Sequence, residues 1–238
     1  MGENVLIVGA SGDIGSSIAE TLADSGYNLI LHYNNTIEKI KEIQQHVDPT
    51  NILLVVQADL RRQNAVENML KQIVFPVDHI VFASGQASYG LFQETSEEQM
   101  DEMLAVHVKA PWLITQGLLA PMIKNKSGSI IFISSIWGDI GASGEVIYSA
   151  VKGAQNSFVK ALAKELGPSN VSVNAISPGF IHTKMNNHLD KEEKQAVISE
   201  IPLNRAGDPT EIANLTDFLL SGKSAYIQGT VIRINGGW

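Results

Sequence analysis

The chain has 238 residues, 44% of them hydrophobic, which suits one globular α/β domain and is too short for two comfortable ones. Its net charge of −8 disfavours nonspecific nucleic-acid binding, and its lack of cysteine excludes disulfides, thiolate catalysis and Cys-ligated metals. We predict no metal site. The longest uncharged apolar-rich window, residues 110–123, is shorter than the roughly 20 residues of a membrane-spanning helix, which predicts a cytoplasmic protein without membrane contact.

Short apolar runs rich in β-branched residues alternate with longer stretches of helical periodicity. Strands separated by helices form βαβ units, whose parallel sheet is covered on both faces. We therefore predict an α/β fold of the Rossmann type, a doubly wound seven-stranded parallel sheet with helices on both faces, in a single domain over residues 1–238. The predicted strands are 5–8, 28–32, 51–56, 79–83, 129–134, 171–176 and 230–234, and the predicted helices are 12–25, 36–47, 61–74, 96–124, 146–166 and 209–221.

The first strand is followed by a glycine loop that reads VGASGDIGSS, residues 8–17. Gly9, Gly12 and Gly15 open the first helix, where free N–H groups and the helix dipole favour an anionic ligand. The spacing matches neither the usual G-x-G-x-x-G nor a P-loop, and a turn that serves only packing is the alternative. Asp13 places an acid in this loop, either as a favourable partner of the helix dipole or with its side chain turned away from a pyrophosphate.

The second strand ends in Asn34 and Asn35, where a fold that reads the ribose 2′-hydroxyl of NAD has an acid. Without a carboxylate to repel a 2′-phosphate, the sequence favours NADP over NAD. No arginine is present there to bind that phosphate, and turn chemistry explains the two asparagines equally well.

The sixth predicted strand is followed by a polar, turn-rich and irregular region, residues 177–208. In an open parallel sheet, ligands bind beyond the carboxyl ends of the strands. A long segment that leaves such an end is expected to act as a lid over the substrate.

Tyr148 and Lys152 lie four residues apart in a helical pattern and therefore share one helix face. A lysine ammonium there favours the ionised phenol, which predicts a lowered pKa for the tyrosine. Such pairs also occur on ordinary helices, but the preceding strand ends in Ser134 and Ser135, where a hydroxyl can bind a substrate carbonyl.

This set of motifs resembles the short-chain dehydrogenase/reductase family over essentially the whole chain, through IVGASGDIG, ISS, YSAVK, NAISPGFIHT and GTVIRINGG. The resemblance implies that Tyr148 is the proton donor, that Ser135 binds the carbonyl, and that Lys152 binds the nicotinamide ribose and tunes the tyrosine. It places Asp59 near the adenine. The full set of implied cofactor-binding residues is Gly9, Ser11, Gly12, Ile14, Gly15, Asn34, Asn35, Asp59, Leu60, Ala83, Ser84, Gly85, Tyr148, Lys152, Pro178, Gly179, Ile181 and Thr183.

The sequence departs from the family pattern in three places: the glycine loop, the stretch after the fourth strand, and one helix. Gly12 and Asp13 stand where the family usually has a basic residue and a glycine, and FASG, residues 82–85, replaces the usual NNAG. His107 stands in place of a catalytic asparagine that is thought to hold a proton-relaying water. A neutral imidazole has one donor and one acceptor for that task, and a histidine that only fills a helix interface is the alternative.

Within the family, the likeness is greatest to the 3-oxoacyl-(acyl-carrier-protein) reductases. It implies NADPH-dependent reduction of a ketone to a secondary alcohol, with a small carbonyl substrate that acyl carrier protein carries, in a homo-tetramer or dimer. Lys124 and Lys126 are candidate carrier-binding residues, although they also suit a helix C-terminus. The alternatives are a reductase of another small ketone, sugar or steroid, and a cofactor-binding sensor or scaffold. The enoyl-reductase branch is disfavoured, because it generally spaces its tyrosine and lysine more widely than the four positions between Tyr148 and Lys152.

Overall fold

The computed structural model describes residues 2–238, and this part of the chain forms one sheet of seven parallel strands in the order β3-β2-β1-β4-β5-β6-β7. The predicted Rossmann-type fold is therefore confirmed. The predicted strands differ from the observed ones by one or two residues at their ends. The strands are β1 Asn4–Val8, β2 Asn28–Tyr33, β3 Ile52–Gln57, β4 His79–Phe82, β5 Gly128–Ile133, β6 Val171–Pro178 and β7 Val231–Ile234.

The described residues contain nine α-helices, most of which cover one face of the sheet or the other. They are α1 Asp13–Asp24, α2 Ile37–His46, α3 Gln63–Gln72, α4 Glu97–Leu104, α5 Ala110–Asn125, α6 Trp137–Ile140, α7 Val146–Leu166, α8 Lys191–Glu200 and α9 Pro209–Leu220. None of these helices is long and apolar enough to cross a membrane.

The strands separate two hydrophobic layers because successive side chains point to opposite faces of a sheet. In β1, Leu6 and Val8 belong to the layer under α3, α5 and α7, whereas Val5 and Ile7 belong to the layer under α1, α2 and α9. The strands are buried on both sides and consequently read as continuous apolar runs.

Two predictions about helices were wrong. The predicted helix 96–124 is interrupted by a π-helical turn, Ala105–Lys109, which separates α4 from α5. Residues 177–208 are not irregular throughout, because they contain α8, which begins with a capping box formed by Asp190 and Glu193. Helix α8 buries none of its residues, so it lacks the apolar stripe that reveals an amphipathic helix.

Candidate active site

A cavity of about 930 Å³ lies where the strand order reverses between β1 and β4, at the carboxyl ends of the strands. Many of the predicted site residues line it: Ser11, Gly12, Ile14, Ala83, Ser84, Gly85, Ser135, Tyr148, Lys152, Pro178, Gly179, Ile181 and Thr183. The others, Gly9, Gly15, Asn34, Asn35, Asp59, Leu60 and His107, are not part of its lining.

The glycines of the loop have different tasks. Gly9 has a φ of +91°, and a Cβ there would lie 2.5 Å from the backbone of Ser84; a Cβ on Gly15 would lie 2.1 Å from the carbonyl oxygen of Gly9. These two glycines permit close packing of backbone on backbone. Gly12 is the N-cap of α1 and supplies no side-chain cap, so the first N–H groups of the helix are left for a ligand in the cavity.

His32, a residue for which no role was predicted, fixes the start of this loop. The backbone N–H of Gly9 donates to Nδ1 of His32 over 3.0 Å, and Nε2 lies 3.0 Å from the carbonyl oxygen of Ala58. The imidazole is therefore neutral, with its proton on Nε2. Burial lowers the pKa of His32 to about 4. A histidine within an otherwise apolar strand was the signal in the sequence.

Asp13 connects the glycine loop to the segment after β6. Its carboxylate accepts a hydrogen bond from the backbone N–H of Lys184 over 2.6 Å, across 171 residues of sequence, and both residues line the cavity. The acid also lies in the first turn of α1, where the helix dipole favours it. The side chain is thus directed at the segment after β6.

The residues predicted for the adenosine end lie outside the cavity lining. The carboxylate of Asp59 pairs with Arg61 over 2.9 Å, a hydrogen bond that lowers the pKa of Asp59, and Leu60 is only 5% exposed and belongs to the core. The carbonyl of Asn34 accepts a hydrogen bond from Gln57. Thr36, which was not predicted, lines the cavity at the end of β2 instead.

The two serines at the end of β5 are held differently. Ser134 donates to the side chain of Asn156 in α7 over 2.7 Å, and Asn156 in turn donates to the carbonyl of Gly138. Ser135 accepts a hydrogen bond from the backbone N–H of Trp137 over 3.2 Å, which leaves its own hydroxyl proton free to donate. Ser135 is therefore the serine able to bind a carbonyl oxygen.

Tyr148 and Lys152 share the buried face of α7. The ammonium of Lys152 donates to the carbonyl oxygen of Ile133 over 2.9 Å and lies 5.5 Å from the centroid of the Tyr148 ring. Burial lowers the pKa of Lys152 to about 7 and raises the pKa of Tyr148. The prediction of a lowered pKa for Tyr148 was wrong for this structure. Burial raises the pKa of the phenol, and the nearby hydroxyl of Ser135 offsets only part of that increase.

His107 lies in the π turn between α4 and α5, and Pro111 explains the interruption. Proline has no N–H to donate to the carbonyl four residues earlier, which is that of His107. That carbonyl accepts a hydrogen bond from the side chain of Gln155 in α7 over 2.8 Å. The π turn is thereby fixed to the helix that carries Tyr148 and Lys152.

The imidazole of His107 packs edge-on against the Tyr148 ring, with the centroids 5.8 Å apart. Its Nε2 lies 2.9 Å from the carbonyl oxygen of Gln86, while its Nδ1 is buried and has no partner among residues 2–238. Burial and the nearby Lys152 lower the pKa of His107 to about 3, so the ring is neutral. A Cβ on Gly85 would lie 2.9 Å from the ring, so the glycine of FASG makes room for it.

The residues present fit a dinucleotide. One cavity runs from the open N-terminus of α1 to Tyr148, with Pro178, Gly179 and Thr183 along it. A Cβ on Gly179 would lie 2.8 Å from Asn235, so the chain after β6 packs tightly on the chain after β7. The hydroxyl oxygen of Ser84 in the lining is buried without a partner among the described residues, as a ligand-facing group would be.

Known proteins match this chain over almost its whole length. A family model described as enoyl-(acyl carrier protein) reductase matches residues 9–238. An uncharacterized oxidoreductase of Bacillus subtilis, YmfI, is 47% identical over 100% of this chain and 99% of its own. The 3-oxoacyl-(acyl-carrier-protein) reductase FabG of Staphylococcus epidermidis is 33% identical over the same shares.

Among solved structures, a provisionally named NAD(P)-dependent gluconate 5-dehydrogenase from Beutenbergia cavernae superposes with a TM-score of 0.93 and 27% identity. The superposition covers 100% of this chain and 96% of that one, which was crystallised with NADP at low occupancy.

Proposed function

The chain belongs to the short-chain dehydrogenase/reductase family of oxidoreductases, and on that premise we propose that it reduces the ketone of a 3-oxoacyl thioester to a secondary alcohol with NADPH. The proposal rests on one observation: Ser135, Tyr148 and Lys152 together form one wall of the cavity. It combines a hydrogen-bond donor for a carbonyl, a proton donor and a cation. A sensor or scaffold has no need of this combination.

The cofactor proposal assigns NADP(H) to the cavity. The N-terminus of α1 at Gly12 would receive the pyrophosphate, and Pro178, Gly179, Ile181 and Thr183 would hold the nicotinamide end. The bound cofactor supplies a hydride. NADPH is favoured over NADH because β2 ends at Tyr33 and is followed by Asn34 and Asn35 rather than by a carboxylate that would repel a 2′-phosphate.

In the proposed chemistry, the hydroxyl of Ser135 donates to the ketone oxygen and polarises the C=O bond. As the carbonyl carbon receives the hydride, Tyr148 gives its phenolic proton to the oxygen, so the product is a neutral alcohol. The raised pKa of Tyr148 keeps the phenol protonated and able to donate. A protonated Lys152 would stabilise the phenolate that forms, and with the cofactor bound it would donate a hydrogen bond to the nicotinamide ribose.

His107 is proposed to take the place of the family asparagine. Its Nδ1 is buried without a partner among the described residues and lies close to Tyr148 and Lys152; it donates or accepts according to the tautomer that Gln86 selects at Nε2, which suits a water that passes protons toward the lysine. The competing role, filling the interface between the π turn and α7, requires no partner at Nδ1.

The substrate, the assembly and the lid are supported by separate observations. The likeness to FabG favours an acyl chain on acyl carrier protein. Trp112 in α5 is 45% exposed and stacks on Phe158 of α7, which supports an oligomer, a tetramer or dimer, formed through these two helices.

Residues 177–208 are proposed as the lid, because Met185, His188, Leu189 and Val197 all line the cavity.

The test is NADPH oxidation with acetoacetyl thioester, with NADH and free ketones in parallel. Reduction of the thioester to the 3-hydroxyacyl product, faster with NADPH, supports the proposal. Faster reduction of a small ketone or sugar acid would favour the second candidate, for which the likeness to the gluconate dehydrogenase speaks. Cofactor binding without turnover of any carbonyl would favour a sensor.

A further inference from the structure

Three polar side chains without an assigned role line the cavity near Tyr148. Tyr89 lies in the loop after β4, Glu145 is the N-cap residue of α7 three positions before Tyr148, and His188 precedes α8. They come from three separate parts of the chain and meet at the end of the cavity that holds the proton donor. We call them the rim cluster.

The rim cluster is assembled by specific contacts. The ring centroids of Tyr89 and His188 are 4.0 Å apart, and the ring planes form an angle of 36°. The backbone N–H of Gly90 donates to the carbonyl of Gly144 over 2.9 Å, which holds the Tyr89 loop against the turn that carries Glu145. Nδ1 of His188 lies 3.0 Å from the carbonyl oxygen of Met185, so this nitrogen is engaged within its own segment.

Glu145 brings a negative charge to this rim without an ion-pair partner in the described chain, since the salt bridges of residues 2–238 involve other acids. The carboxylate is half-buried, and burial raises its pKa, against which the neighbouring Trp137 and His188 act. Burial is the main reason why the pKa values of Tyr148 and Tyr89 are raised, and the charge of Glu145 raises both further. The field of this acid therefore reaches the atom that gives the proton.

We propose that Glu145 determines substrate specificity by excluding anionic carbonyl compounds and by accepting a hydrogen bond from a neutral substrate. A carboxylate on a half-buried cavity wall repels a second carboxylate more strongly than it would in water, because the local dielectric constant is lower. The same oxygen atoms accept a hydrogen bond from an amide N–H or a hydroxyl. The inference rests on the proposed ketone reduction and deepens it by naming the substrate class.

A 3-oxoacyl thioester on an arm that contains amide groups fits this class, because it is uncharged near the ketone and brings N–H donors. A free 3-oxo acid or a keto sugar acid does not fit, because its carboxylate would lie close to Glu145. The rim cluster thus separates the two substrate classes that the relatives leave open.

The experiment compares three ketones with saturating NADPH: acetoacetyl-N-acetylcysteamine, which is neutral with an amide N–H; ethyl acetoacetate, which is neutral without that donor; and acetoacetate, which is anionic. Kinetics are measured for the wild type, for Glu145→Gln, and for Glu192→Gln. Glu192 is a matched control because it is an exposed acid in the first turn of α8 and does not line the cavity.

We expect Glu145→Gln to raise the kcat/KM of acetoacetate relative to ethyl acetoacetate at least about tenfold, one charge interaction of roughly 1.4 kcal/mol. Glu192→Gln leaves this ratio unchanged. Because the substituted amide retains an acceptor oxygen, the thioester keeps its advantage over the ester. A shift in the pKa of Tyr148 would alter the rates of all three ketones together and cancels in the ratio.

An unchanged ratio in Glu145→Gln, with reduction of the thioester intact, overturns this inference and leaves the proposed function standing. Failure of the wild type to reduce any of the three overturns both. Should the variant not fold, the wild type alone decides: added salt should raise the relative kcat/KM of acetoacetate, and a ratio independent of salt contradicts a role for charge.

Discussion

The two ends of the cavity are built differently. At the end that holds Tyr148, buried side chains are fixed by several hydrogen bonds between neighbouring elements: Lys152 to Ile133, Gln155 to His107 and Ser134 to Asn156. At the glycine loop, one side-chain hydrogen bond, from Lys184 to Asp13, links the loop to the segment after β6 and is exposed.

The difference shows how each end departs from the family pattern. At the buried end, His107 lies in a π turn that is followed by Pro111, and Gly85, the glycine that the usual NNAG also has, leaves room for its ring. At the exposed end, Asp13 replaces a glycine and forms a contact of its own. A buried departure involves several neighbours, whereas an exposed one involves a single partner.

The largest effect should come from the buried end. Tyr148→Phe removes the proposed proton donor and should lower kcat/KM for the thioester by about 10²- to 10⁴-fold, with NADPH affinity little changed. Steady-state kinetics and cofactor titration measure the two quantities. Tyr226→Phe is the control, because Tyr226 is fully exposed. Equal rates in Tyr148→Phe and the wild type would remove Tyr148 from the chemistry.

His107→Ala should retain cofactor binding and, if His107 belongs to the proposed proton relay, lower kcat by roughly 10- to 100-fold. His107→Asn, which restores a donor and an acceptor, should recover most of the rate. If both variants lose the same thermal stability but neither loses kcat, His107 only fills the interface.

The pH dependence of stability shows whether the glycine loop also depends on a buried group, the imidazole of His32. Its folded pKa of about 4 lies below the ordinary value of about 6.5, so the unfolded chain binds more protons between these values. The corresponding stability is fully present above pH 6.5 and is lost as the pH falls toward 4. The loss is about 2 kcal/mol between pH 6.5 and 4.5.

Urea unfolding across this pH range measures that loss. The slope of unfolding free energy against pH reports how many protons the chain takes up when it unfolds. In His32→Gln this proton uptake should be smaller than in the wild type by most of one proton. The same slope in the variant and the wild type would mean that His32 is not buried in its neutral form.

The smallest effect is expected at the exposed contact. Asp13→Ala should speed NADPH dissociation roughly fivefold, as the loss of one hydrogen bond worth about 1 kcal/mol would. Asp13→Asn keeps an acceptor and should stay close to the wild type, as should Asp24→Ala at the other end of α1. Stopped-flow fluorescence measures the rates. A sharp rise in affinity in Asp13→Gly would show that the acid hinders the cofactor.

Local pattern was enough to predict the sheet, most helices and the positions of Ser135, Tyr148 and Lys152, since strand ends and helical spacing are short-range features. Pro111 was a usable signal for the π turn. Contacts between distant segments left no local trace: neither the Asp13–Lys184 hydrogen bond nor the rim cluster follows from spacing. Helix α8 was missed because its ten residues have no buried face.

The central claim is direct reduction of a ketone at the wall of Ser135, Tyr148 and Lys152. Its most direct test is a single turnover of acetoacetyl thioester with NADPH deuterated at C4 of the nicotinamide, followed by mass spectrometry of the product. We predict deuterium at the carbon that bears the new hydroxyl, and a much slower turnover in Tyr148→Phe. Bound NADPH with no deuterated alcohol, or equal turnover in the variant, would contradict the claim.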